Sequence, residues 1–387
     1  MNETGFGKGR RHAEIAGGGI AGLATAIGLA SRGWSVRVHE RSNTLRPEGA
    51  GIYIWENGLR VLEALGALKM TLEGSHAGRR RETRDDRNRL IAAADWESDP
   101  GRRVVSVARN RLLGALSERA KALGATLSCD SDVVGALPEG VLLLRDGTQL
   151  KANLIVAADG INSKVRDSLG LLDWRRPMID GAIRVMIPRL LHERDSAEGQ
   201  MYVEYWSGHR RILYTPCSDE EVYLALTTLD TDVEGKAVPL NKTSWCASFP
   251  HLRSLIDRIP DSGRWDRFET VSLKKWSAGC VAIVGDAAHA QAPNLGQGGG
   301  CSLMNALSLS VSLDEQGTID QCLERWELLE RPLTNHTQRV SALYGQVTRM
   351  PAVLRGAVLG WAGRSRWAMA QRMRTAHHEP TGTKKTT

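Results

Sequence analysis

The stretch HAEIAGGGIAGLATAIGLASRGWSVRVHE, residues 12–40, decides the fold of this chain. An apolar strand leads into the turn Gly17-Gly18-Gly19-Ile20-Ala21-Gly22, and the helix that follows ends at Gly33, before a second strand begins. Glu40 follows that second strand, 23 residues after Gly17. In this spacing the glycines bring a helix N terminus up to a pyrophosphate, and the acid accepts hydrogen bonds from a ribose. The stretch therefore predicts a Rossmann-like, dinucleotide-binding βαβ unit.

A second stretch, VGDAAHAQAPNLGQGGG at 284–300, predicts another contact with the same kind of ligand. The apolar run 281–284 is typical of a buried strand, and it ends in Gly285-Asp286, which places a carboxylate at the carboxyl edge of a sheet. Ten residues later the glycine-rich turn 296–300 opens a helical pattern. An acid and bare backbone amides together suit a ligand that carries both hydroxyl groups and phosphates.

The pair Asp159-Gly160 forms a third candidate contact. It ends the apolar strand 153–158 and precedes the helix start INSKVR, so it offers a carboxylate and a backbone turn at the edge where ligands bind. The similar pair Asp146-Gly147 lies between short alternating strands, and a plain hairpin turn accounts for it. Three strand ends are thus predicted to converge on one ligand.

The composition is that of an ordinary globular protein of one large domain or two medium ones, with 387 residues, 42% hydrophobic and 25% charged. The six cysteines contain no CxxC pair and His289 has no second ligand nearby, so we expect free thiols, a structural histidine and no metal site.

The apolar run 15–30 superficially resembles a signal peptide, but its glycines belong to the predicted turn and it is too short to span a membrane. A cytoplasmic protein without an integral membrane segment is expected.

The positive charge lies at the C-terminal end of the chain. The net charge is +7, whereas residues 338–387 carry nine Lys or Arg against Glu379 alone, a net +8, so the first 337 residues sum to −1. Trp361 and Trp367 lie among these arginines, which leaves open a tail that binds nucleic acid or a membrane surface. We expect instead a helix that packs on the body and exposes a basic face, then a frayed end, and no nucleic-acid partner.

Three motifs and an arginine, in this order, carry a family resemblance: GGGIAG with Glu40, Arg109, ADGINSKVR and VGDAAHAQAPNLGQGGG. They resemble the FAD-dependent aromatic hydroxylases, the single-component flavoprotein monooxygenases, over roughly residues 12–345. The resemblance implies FAD as the cofactor, NADH or NADPH as a transient co-substrate without a domain of its own, and dioxygen as the oxidant. It also implies a small aromatic acid as substrate and a possible homo-oligomer.

The elements predict the α/β class, with a Rossmann-like FAD-binding domain, an inserted antiparallel-sheet substrate domain and a helical C terminus. Strands alternate between about 180 and 270, residues 78–103 are a charge-rich excursion, and the pattern after 316 is helical. The predicted ranges are 1–77, 104–178 and 271–345 for the discontinuous FAD-binding domain, 78–103 and 179–270 for the substrate-binding sheet domain, and 346–387 for the basic C-terminal helix and tail.

The resemblance implies a role for each motif in holding FAD. The glycine turn, Glu40, Arg41 and Arg109 would hold the ADP half, Asp286 would bind the ribityl chain, and the turn 293–298 would face the reactive ring. Asp159 would lie near the pyrophosphate. The implied cofactor-binding residues are Gly17, Gly19, Ile20, Ala21, Gly22, Glu40, Arg41, Gly51, Arg109, Asp159, Gly160, Gly285, Asp286, Pro293, Gly296, Gln297 and Gly298.

Within the family, the runs GAGIYIW at 49–55 and RILYTPC at 211–217, with Tyr223, resemble the oxygenases of 3-hydroxypyridine carboxylates. That likeness implies hydroxylation, or ring opening, of 2-methyl-3-hydroxypyridine-5-carboxylate or an analogue such as 5-hydroxynicotinate. Arg81 stands where those oxygenases have a tyrosine, and a cation in place of a phenol alters the pocket. The implied catalytic residues are Arg211, Tyr223, Tyr53 and Pro293, and the candidates for the substrate pocket are Arg81 and Arg184.

Two questions stay open at the level of sequence. A simple two-residue register through the turn 217–220 places Tyr214, not Arg211, on the face of Tyr223, and a bulge near Pro216 is needed to bring Arg211 and Tyr223 together. The substrate is the other question. Benzenoid hydroxy acids of the salicylate or hydroxybenzoate type are the alternative, and a non-catalytic protein that binds through its basic tail is a remote one.

Overall fold

The computed structural model describes residues 10–45, 50–95 and 103–384. Parts of the predicted domains, Gly49 among them, lie outside the described residues. In chain order the strands are β1 His12–Ala16, β2 Ser35–His39, β3 Gly51–Trp55, β4 His76–Ala77, β5 Arg80–Asp85, β6 Leu90–Asp95, β7 Val104–Ala108, β8 Thr126–Ser128, β9 Val133–Leu137, β10 Val141–Leu144, β11 Gln149–Lys151, β12 Leu154–Ala157, β13 Leu172–Pro188, β14 Tyr202–Ser207, β15 Arg210–Pro216, β16 Glu221–Leu229, β17 Trp265–Leu273, β18 Ser277–Ala278 and β19 Val281–Ile283.

Helices and strands alternate along the chain up to β19, and in the described part of the chain only helices follow β19. In chain order they are α1 Ile20–Ala30, α2 Glu56–Ala64, α3 Leu68–Leu72, α4 Arg109–Ala122, α5 Lys164–Ser168, α6 Leu191–Asp195, α7 Lys242–Ser248, α8 Arg253–Asp257, α9 Asp286–His289, α10 Gly298–Ser312, α11 Ile319–Gln346, α12 Ala352–Arg364 and α13 Arg366–Met373. Short 3-10 turns lie at Glu198–Gln200, Pro250–Leu252, Pro293–Leu295 and Val347–Arg349.

A six-stranded sheet in the order β18-β19-β12-β1-β2-β8 carries the predicted βαβ unit. Its neighbouring strands are parallel, except β18 and β19. The helix α1 is buried along its whole length because it packs against α4 and α10 as well as the sheet. Since β1, β12 and β19 are adjacent and parallel, their carboxyl ends bring the three predicted ligand segments together, as the sequence predicts.

A seven-stranded sheet in the order β17-β13-β16-β15-β14-β5-β6 is the inserted sheet that the alternating pattern predicts. Its strands are antiparallel except for β14 and β5, which are parallel. One face packs through residues such as Ile183, Ile212 and Leu224 against Trp245 and Phe249 at α7. The excursion 78–103 supplies β5 and β6 to this sheet, and the other face lies toward the six-stranded sheet.

The limits of the two predicted domains remain a prediction, because continuous strands cross them. The strand β13 runs through position 178 and β17 runs through position 270 without a break. The two smaller sheets, β3-β7-β4 and β11-β10-β9, complete the α/β fold, and the hairpin at Asp146-Gly147 lies in the second of them. The predicted fold class is confirmed.

The C-terminal segment is helical, and its helices pack on the body. Thr318 caps α11 and forms a capping box with Gln321. Arg355 of α12 is buried and donates a hydrogen bond to the carbonyl of Gly208, and Met373 of α13 packs with Trp55. Among the described residues, no helix has the length and apolar character needed to cross a membrane.

A buried polar network stabilises the first βαβ unit. Glu14 of β1 is 2% exposed and accepts hydrogen bonds from His12 Nε2 at 2.9 Å and from His39 Nε2 at 2.8 Å. The other ring nitrogen of His39 lies 2.7 Å from Ser131 Oγ. Burial raises the pKa of the Glu14 carboxyl, but the hydrogen bonds of His12 and His39 outweigh burial and lower it to about 2. Glu14 is therefore ionised at neutral pH and stabilises the folded chain.

Replacing this carboxylate should cost stability in a pH-dependent way. We expect Glu14→Gln to unfold with about 2–3 kcal/mol less free energy at pH 7, because a carboxyl whose pKa is lowered by folding stabilises the protein while it is ionised. The difference from the wild type should shrink as the pH falls below about 4.5 and disappear near pH 2. Urea unfolding followed by circular dichroism at a series of pH values measures it, with the exposed Glu139→Gln as control. A difference that stays constant down to pH 3 would contradict this account.

Candidate active site

A cavity of about 740 Å³ lies between the carboxyl edge of the six-stranded sheet and the open face of the seven-stranded sheet. Its volume is in the range of small-molecule sites. The glycine turn before α1, Asp286 and the segment 293–299 line one wall, and strands β5, β13, β14, β15 and β16 line the other. A ligand in this cavity would touch both sheets at once.

The glycine turn 17–22 shapes the first wall of the cavity. A Cβ atom on Gly17, whose φ is +104°, would stand 2.3 Å from the Ala158 carbonyl oxygen, and a Cβ on Gly22 would stand 2.0 Å from the Gly17 carbonyl oxygen. Both positions therefore require glycine, because the turn, the helix and β12 approach one another so closely. A Cβ on Gly19 would meet no atom within 4 Å, and Gly19 lines the cavity. This turn thus leaves open space at the helix N terminus.

Two acids fix the backbone around this turn. Glu40 Oε2 accepts a hydrogen bond from the Gly18 amide at 3.1 Å, and Glu40 Oε1 accepts one from the Ser42 amide at 3.1 Å. Asp159 Oδ2 accepts from the Lys164 amide at 2.8 Å, whereas Asp159 Oδ1 is buried without a partner among the described residues. Burial raises the pKa of Asp159. Both side chains hold loops at the sheet edge.

Asp286 presents its carboxylate to the cavity. It begins α9 directly after β19 and Gly285, and its side chain is accessible from the cavity while protein surrounds it on the other sides. This enclosure raises the pKa of Asp286, and the nearby charges of Arg109 and Arg184 oppose the rise. The site therefore offers a carboxylate that feels the charges of Arg109 and Arg184 and forms no ion pair with them in the described part of the chain.

The segment after α9 forms a rigid turn at the cavity. Pro293–Leu295 is a single 3-10 turn, and Gly296 ends it in the left-handed conformation, with φ of +63°. Gln297 is 2% exposed, and its Oε1 accepts from Asn57 Nδ2 at 3.1 Å. Gln297 Nε2 is buried without a partner among the described residues. The turn thus presents backbone to the cavity, while the Gln297 amide lies behind it.

The opposite wall is one face of the seven-stranded sheet. Alternate residues of each strand line the cavity, because side chains alternate between the two faces of a sheet. Apolar positions lie among charged ones, and α13 adds Arg372 at the rim. The residues on this wall are Arg81, Ala182, Arg184, Tyr202, Glu204, Arg211, Leu213, Tyr223, Ala225 and Thr227.

The register of β15 and β16 settles the question that the sequence left open. Thr215 pairs with Tyr223 and Arg211 pairs with Thr227 in a regular antiparallel ladder. Arg211 and Tyr223 therefore share a face without a bulge, and the expectation that Tyr214 shares the Tyr223 face is wrong. The turn is one residue shorter than assumed, since the Cys217 amide donates to the Glu221 carbonyl at 2.9 Å. The Ser218 hydroxyl accepts from the Glu220 and Glu221 amides and fixes that turn.

Glu204 lies at the centre of a buried charged cluster on this face. Its Oε2 accepts from Arg81 Nη2 at 2.7 Å and from the Tyr344 hydroxyl at 3.0 Å, and its Oε1 accepts from Arg211 Nη1 at 3.3 Å. Glu204 and Arg211 are 4% and 5% exposed. Burial raises the pKa of Glu204, but the charges of Arg81 and Arg211 outweigh it and lower the pKa. Glu204 is therefore ionised and shared between two arginines.

Arg211 also joins the sheet to the flavin-facing turn predicted at 293–298. Its Nη2 donates to Asn294 Oδ1 at 2.5 Å and lies 3.6 Å from Asp180 Oδ2. Asn294 in turn donates to the Ser341 carbonyl of α11 at 3.0 Å. The guanidinium lies 5.3 Å from the Trp206 ring. The predicted substrate arginine is thus held by protein groups on several sides.

The tyrosines of the cavity are also fixed. The Tyr53 hydroxyl lies 2.5 Å from Thr215 Oγ1, and the Tyr53 ring meets the Tyr202 ring edge-on at 5.0 Å. Burial raises the pKa of the Tyr53 phenol well above its usual value. Burial also raises the pKa of Tyr223, which the Arg184 charge opposes. Both phenols therefore stay protonated at neutral pH.

Many of the predicted site residues line the cavity. These are Gly19, Ile20, Ala21, Gly51, Tyr53, Arg81, Arg109, Gly160, Arg184, Arg211, Tyr223, Asp286, Pro293, Gly296 and Gly298. The others do not line it, and they are Gly17, Gly22, Glu40, Arg41, Asp159, Gly285 and Gln297. His289 faces away from the cavity and packs on Trp276 with its Nε2 2.9 Å from Asn305 Nδ2, as a structural histidine would.

Sequence reasoning missed three residues that build the charged cluster: Glu204, Asn294 and Tyr344. Glu204 lies in the run YVEYW of β14, and an acid flanked on both sides by apolar and aromatic residues could have been noticed. No pattern in the sequence points to Tyr344, because it reaches the cluster from α11, 140 residues away in the chain.

Comparison with known proteins agrees with this geometry. Residues 11–318 match the family described as FAD binding domain, which covers most of the chain. The chain therefore belongs to this FAD-binding family, and it is an FAD-dependent aromatic monooxygenase of the class that the sequence motifs indicate. NADH or NADPH is the co-substrate typical of that class. The non-catalytic alternative has no support.

Several known proteins are similar to this chain over nearly its whole length. AqdB1 of Rhodococcus erythropolis carries the name "Putative 2-heptyl-3-hydroxy-4(1H)-quinolone synthase". It is 45% identical to this chain over 96% of this chain and 97% of the AqdB1 chain. The 2-heptyl-3-hydroxy-4(1H)-quinolone synthase of Mycobacteroides abscessus is 39% identical over 92% of this chain and 95% of its own. The solved tetrameric form of 2-methyl-3-hydroxypyridine-5-carboxylic acid oxygenase is 40% identical, with a TM-score of 0.86 over 97% of this chain and 98% of its own.

The raised phenol pKa values predict a pH profile. Since burial keeps Tyr53 and Tyr223 protonated, neither should act as a phenolate base below about pH 10. We expect Tyr53→Phe and Tyr223→Phe to lower kcat/KM while the alkaline limb of the pH–rate profile keeps its wild-type position. Steady-state kinetics between pH 6 and pH 10 measure this. An alkaline limb that disappears in either variant would assign that limb to the tyrosine and overturn the interpretation.

Proposed function

We propose that FAD binds along the first wall of the cavity. The pyrophosphate would lie at Gly19 and Gly160, where a Cβ atom would meet no protein atom within 4 Å, with Arg109 as the nearby cation. Asp286 would accept from the ribityl hydroxyl groups. The turn Pro293–Leu295 and Gly298 would lie against the ring system, and Gln297 would support that turn from behind through its hydrogen bond with Asn57.

The remaining implied cofactor residues would act through these contacts. Gly17, Gly22 and Gly285 would hold the turns, Glu40 and Arg41 would reach the adenosine ribose, and Asp159 would fix the loop around Gly160. When bound and reduced by NAD(P)H, FAD supplies an electrophilic oxygen atom derived from dioxygen. The chain itself must orient an electron-rich ring toward that atom and exclude water.

We propose that this ring is an uncharged nitrogen heterocycle of the 4(1H)-quinolone class, hydroxylated at C3. The observation that carries the proposal is the Glu204 cluster, because Arg211, an implied catalytic residue, and Arg81, a candidate for the substrate pocket, already share a protein carboxylate. Two relatives named for a 3-hydroxy-4(1H)-quinolone product support it. Since a monooxygenase inserts one oxygen atom into a C–H bond, the substrate would be the 2-alkyl-4(1H)-quinolone that lacks the 3-hydroxyl group.

The apolar part of the cavity suits an alkyl chain on such a ring. Leu213, Ala225 and Ala182 present small or apolar side chains to the cavity, and Phe268 lies beside them. Ala225 and Leu213 continue into an apolar cluster with Tyr223. A heptyl chain buried there would add about 0.8 kcal/mol for each methylene group. The protonated Tyr223 hydroxyl could donate to the ring carbonyl and orient C3 toward the flavin side.

A second candidate is the 3-hydroxypyridine carboxylate that the sequence implies, with hydroxylation and possible ring opening. The solved oxygenase of that substrate class supports it through its 40% identity. One feature of the cavity also favours it. Arg184 lies 5.4 Å from the Phe268 ring and has no ion pair with an acid in the described part of the chain, so it could bind a carboxylate. The relatives described above are named for nitrogen heterocycles, so benzenoid hydroxy acids rank third.

The oligomeric state and the cellular location of the protein are also proposed from its relatives and its sequence. We propose a homo-oligomer, since the solved oxygenase is described in a tetrameric form. Size-exclusion chromatography with light scattering tests this directly, and a monomeric mass at micromolar concentration would contradict it. The cytoplasmic location expected from the sequence stays a prediction.

The placement of FAD predicts the effect of adding a side chain to the glycine turn. The structure has room for Gly19→Val, but that side chain would occupy the space assigned to the pyrophosphate. We expect FAD to bind about ten- to a hundredfold more weakly, the usual range for overpacking, while the circular dichroism spectrum is unchanged. Gly114→Val on the exposed face of α4, also without neighbours within 4 Å, is the matched control. Unchanged FAD affinity in Gly19→Val would place the pyrophosphate elsewhere.

The choice of substrate class predicts relative rates. We expect 2-heptyl-4(1H)-quinolone to be turned over with kcat/KM at least about tenfold higher than 5-hydroxynicotinate or salicylate, because only the quinolone adds apolar burial without an unpaired charge. Substrate-stimulated oxidation of NADH and NADPH, with mass spectrometry for one added oxygen atom, measures this. Faster turnover of 5-hydroxynicotinate would establish the second candidate in its place.

A further inference from the structure

We infer that Glu204 keeps Arg81 and Arg211 from binding a substrate carboxylate, and so lowers the affinity of this part of the cavity for anionic rings relative to uncharged ones. This inference deepens the proposed function and rests on it for the identity of the natural substrate. The claim about Glu204 itself concerns binding. It can therefore be tested even if the turnover of quinolones fails.

Both carboxylate oxygens of Glu204 already accept hydrogen bonds, from two arginines and one phenol. Arg81 reaches it from the neighbouring strand β5 at 2.7 Å, Arg211 from β15 at 3.3 Å, and Tyr344 from α11 at 3.0 Å. Both arginines and Glu204 line the cavity. A substrate carboxylate that approached either guanidinium would have to displace a protein carboxylate that is already buried and hydrogen-bonded.

The remaining contacts of Arg211 strengthen this effect. Asn294 accepts from its Nη2 at 2.5 Å, and Asp180, which is fully buried, lies 3.6 Å from the same nitrogen. Two acids therefore oppose the two arginines, and the cluster presents little net charge to the cavity. An anionic ligand would find no uncompensated cation there, whereas an uncharged ring would leave the cluster intact.

A purely structural role explains this arrangement less well. Buried ion networks are seldom more stable than apolar side chains of the same volume, so stability alone does not call for one on a cavity wall. The same sheet contains a comparable acid that faces away from the cavity. Glu82 of β5 is 5% exposed and accepts from Arg80 and Arg84, each at 2.7 Å. Glu82 is thus a matched acid with two arginine partners outside the site.

The test compares two ligands that differ only in a carboxylate. The probes are 5-hydroxynicotinate and 3-hydroxypyridine, and their dissociation constants follow from the change in flavin absorbance of the FAD-loaded enzyme. In Glu204→Gln the ratio of affinities should shift toward 5-hydroxynicotinate by at least about tenfold relative to the wild type, since close buried charge pairs couple by more than that factor. In Glu82→Gln the ratio should stay at the wild-type value.

Two further variants keep the inference testable if Glu204→Gln does not load FAD. Asp180→Asn removes the other acid beside Arg211 and should shift the ratio in the same direction by a smaller factor. The double variant Glu204→Gln/Arg81→Gln restores the balance of charge and should return the ratio toward the wild type. If wild type binds neither probe, Glu204→Gln should still bind 5-hydroxynicotinate.

The inference is overturned by an unchanged ratio in Glu204→Gln and, where that variant does not load FAD, by an unchanged ratio in Asp180→Asn. A shift of the same size in Glu82→Gln would overturn it too, because the effect would then be a general consequence of lost charge. Turnover of 2-heptyl-4(1H)-quinolone is measured separately on the wild type. Its absence would refute the proposed substrate and leave the binding result to decide the role of Glu204.

Discussion

The ion pairs of Glu204 hold the substrate side of this enzyme together. One carboxylate receives Arg81 from β5, Arg211 from β15 and Tyr344 from α11, so three parts of the chain meet at a single buried charge. Arg211 then carries the connection to Asn294 in the turn that faces the proposed flavin position. The sheet face proposed to bind the substrate ring and the turn proposed to lie against the cofactor are thereby fixed relative to each other. Orientation of this kind is what the protein must supply when the cofactor performs the chemistry.

The cofactor side depends on a different constraint, the close approach of backbone segments. Gly17 and Gly22 bring β1, β12 and the start of α1 so close together that no side chain fits, while Gly19 leaves the space in front of the helix open. Asp286 adds a carboxylate from the end of β19. These features belong to the strand ends of a parallel sheet and do not depend on the substrate. The two walls of the cavity thus combine a proposed cofactor site at the strand ends with a proposed substrate face on the seven-stranded sheet.

Much of this organisation could be predicted from the sequence because it is local. The glycine spacing at 17–22, the acids after apolar strands and the alternation between 180 and 270 each depend on neighbouring residues, and the fold and family followed from them. Features made by distant residues could not be predicted in this way. The face shared by Arg211 and Tyr223 depends on a turn that is one residue tighter than assumed, fixed by the Ser218 hydroxyl. The neutralisation of Arg211 depends on Glu204 and Asp180, which the sequence does not connect.

The contacts of Arg211 with Glu204 and Asn294 change how its role is interpreted. Read alone, Arg211 suggests a carboxylate substrate, whereas its partners make it part of a balanced cluster. The most direct test is a crystal structure of the FAD-loaded enzyme with 2-heptyl-4(1H)-quinolone, beside one with 5-hydroxynicotinate. The account predicts the quinolone ring between Leu213, Ala225 and the turn Pro293–Leu295, with Arg81 and Arg211 still bound to Glu204. A carboxylate of 5-hydroxynicotinate bound to Arg211 in place of Glu204, with the quinolone excluded from the cavity, would contradict it.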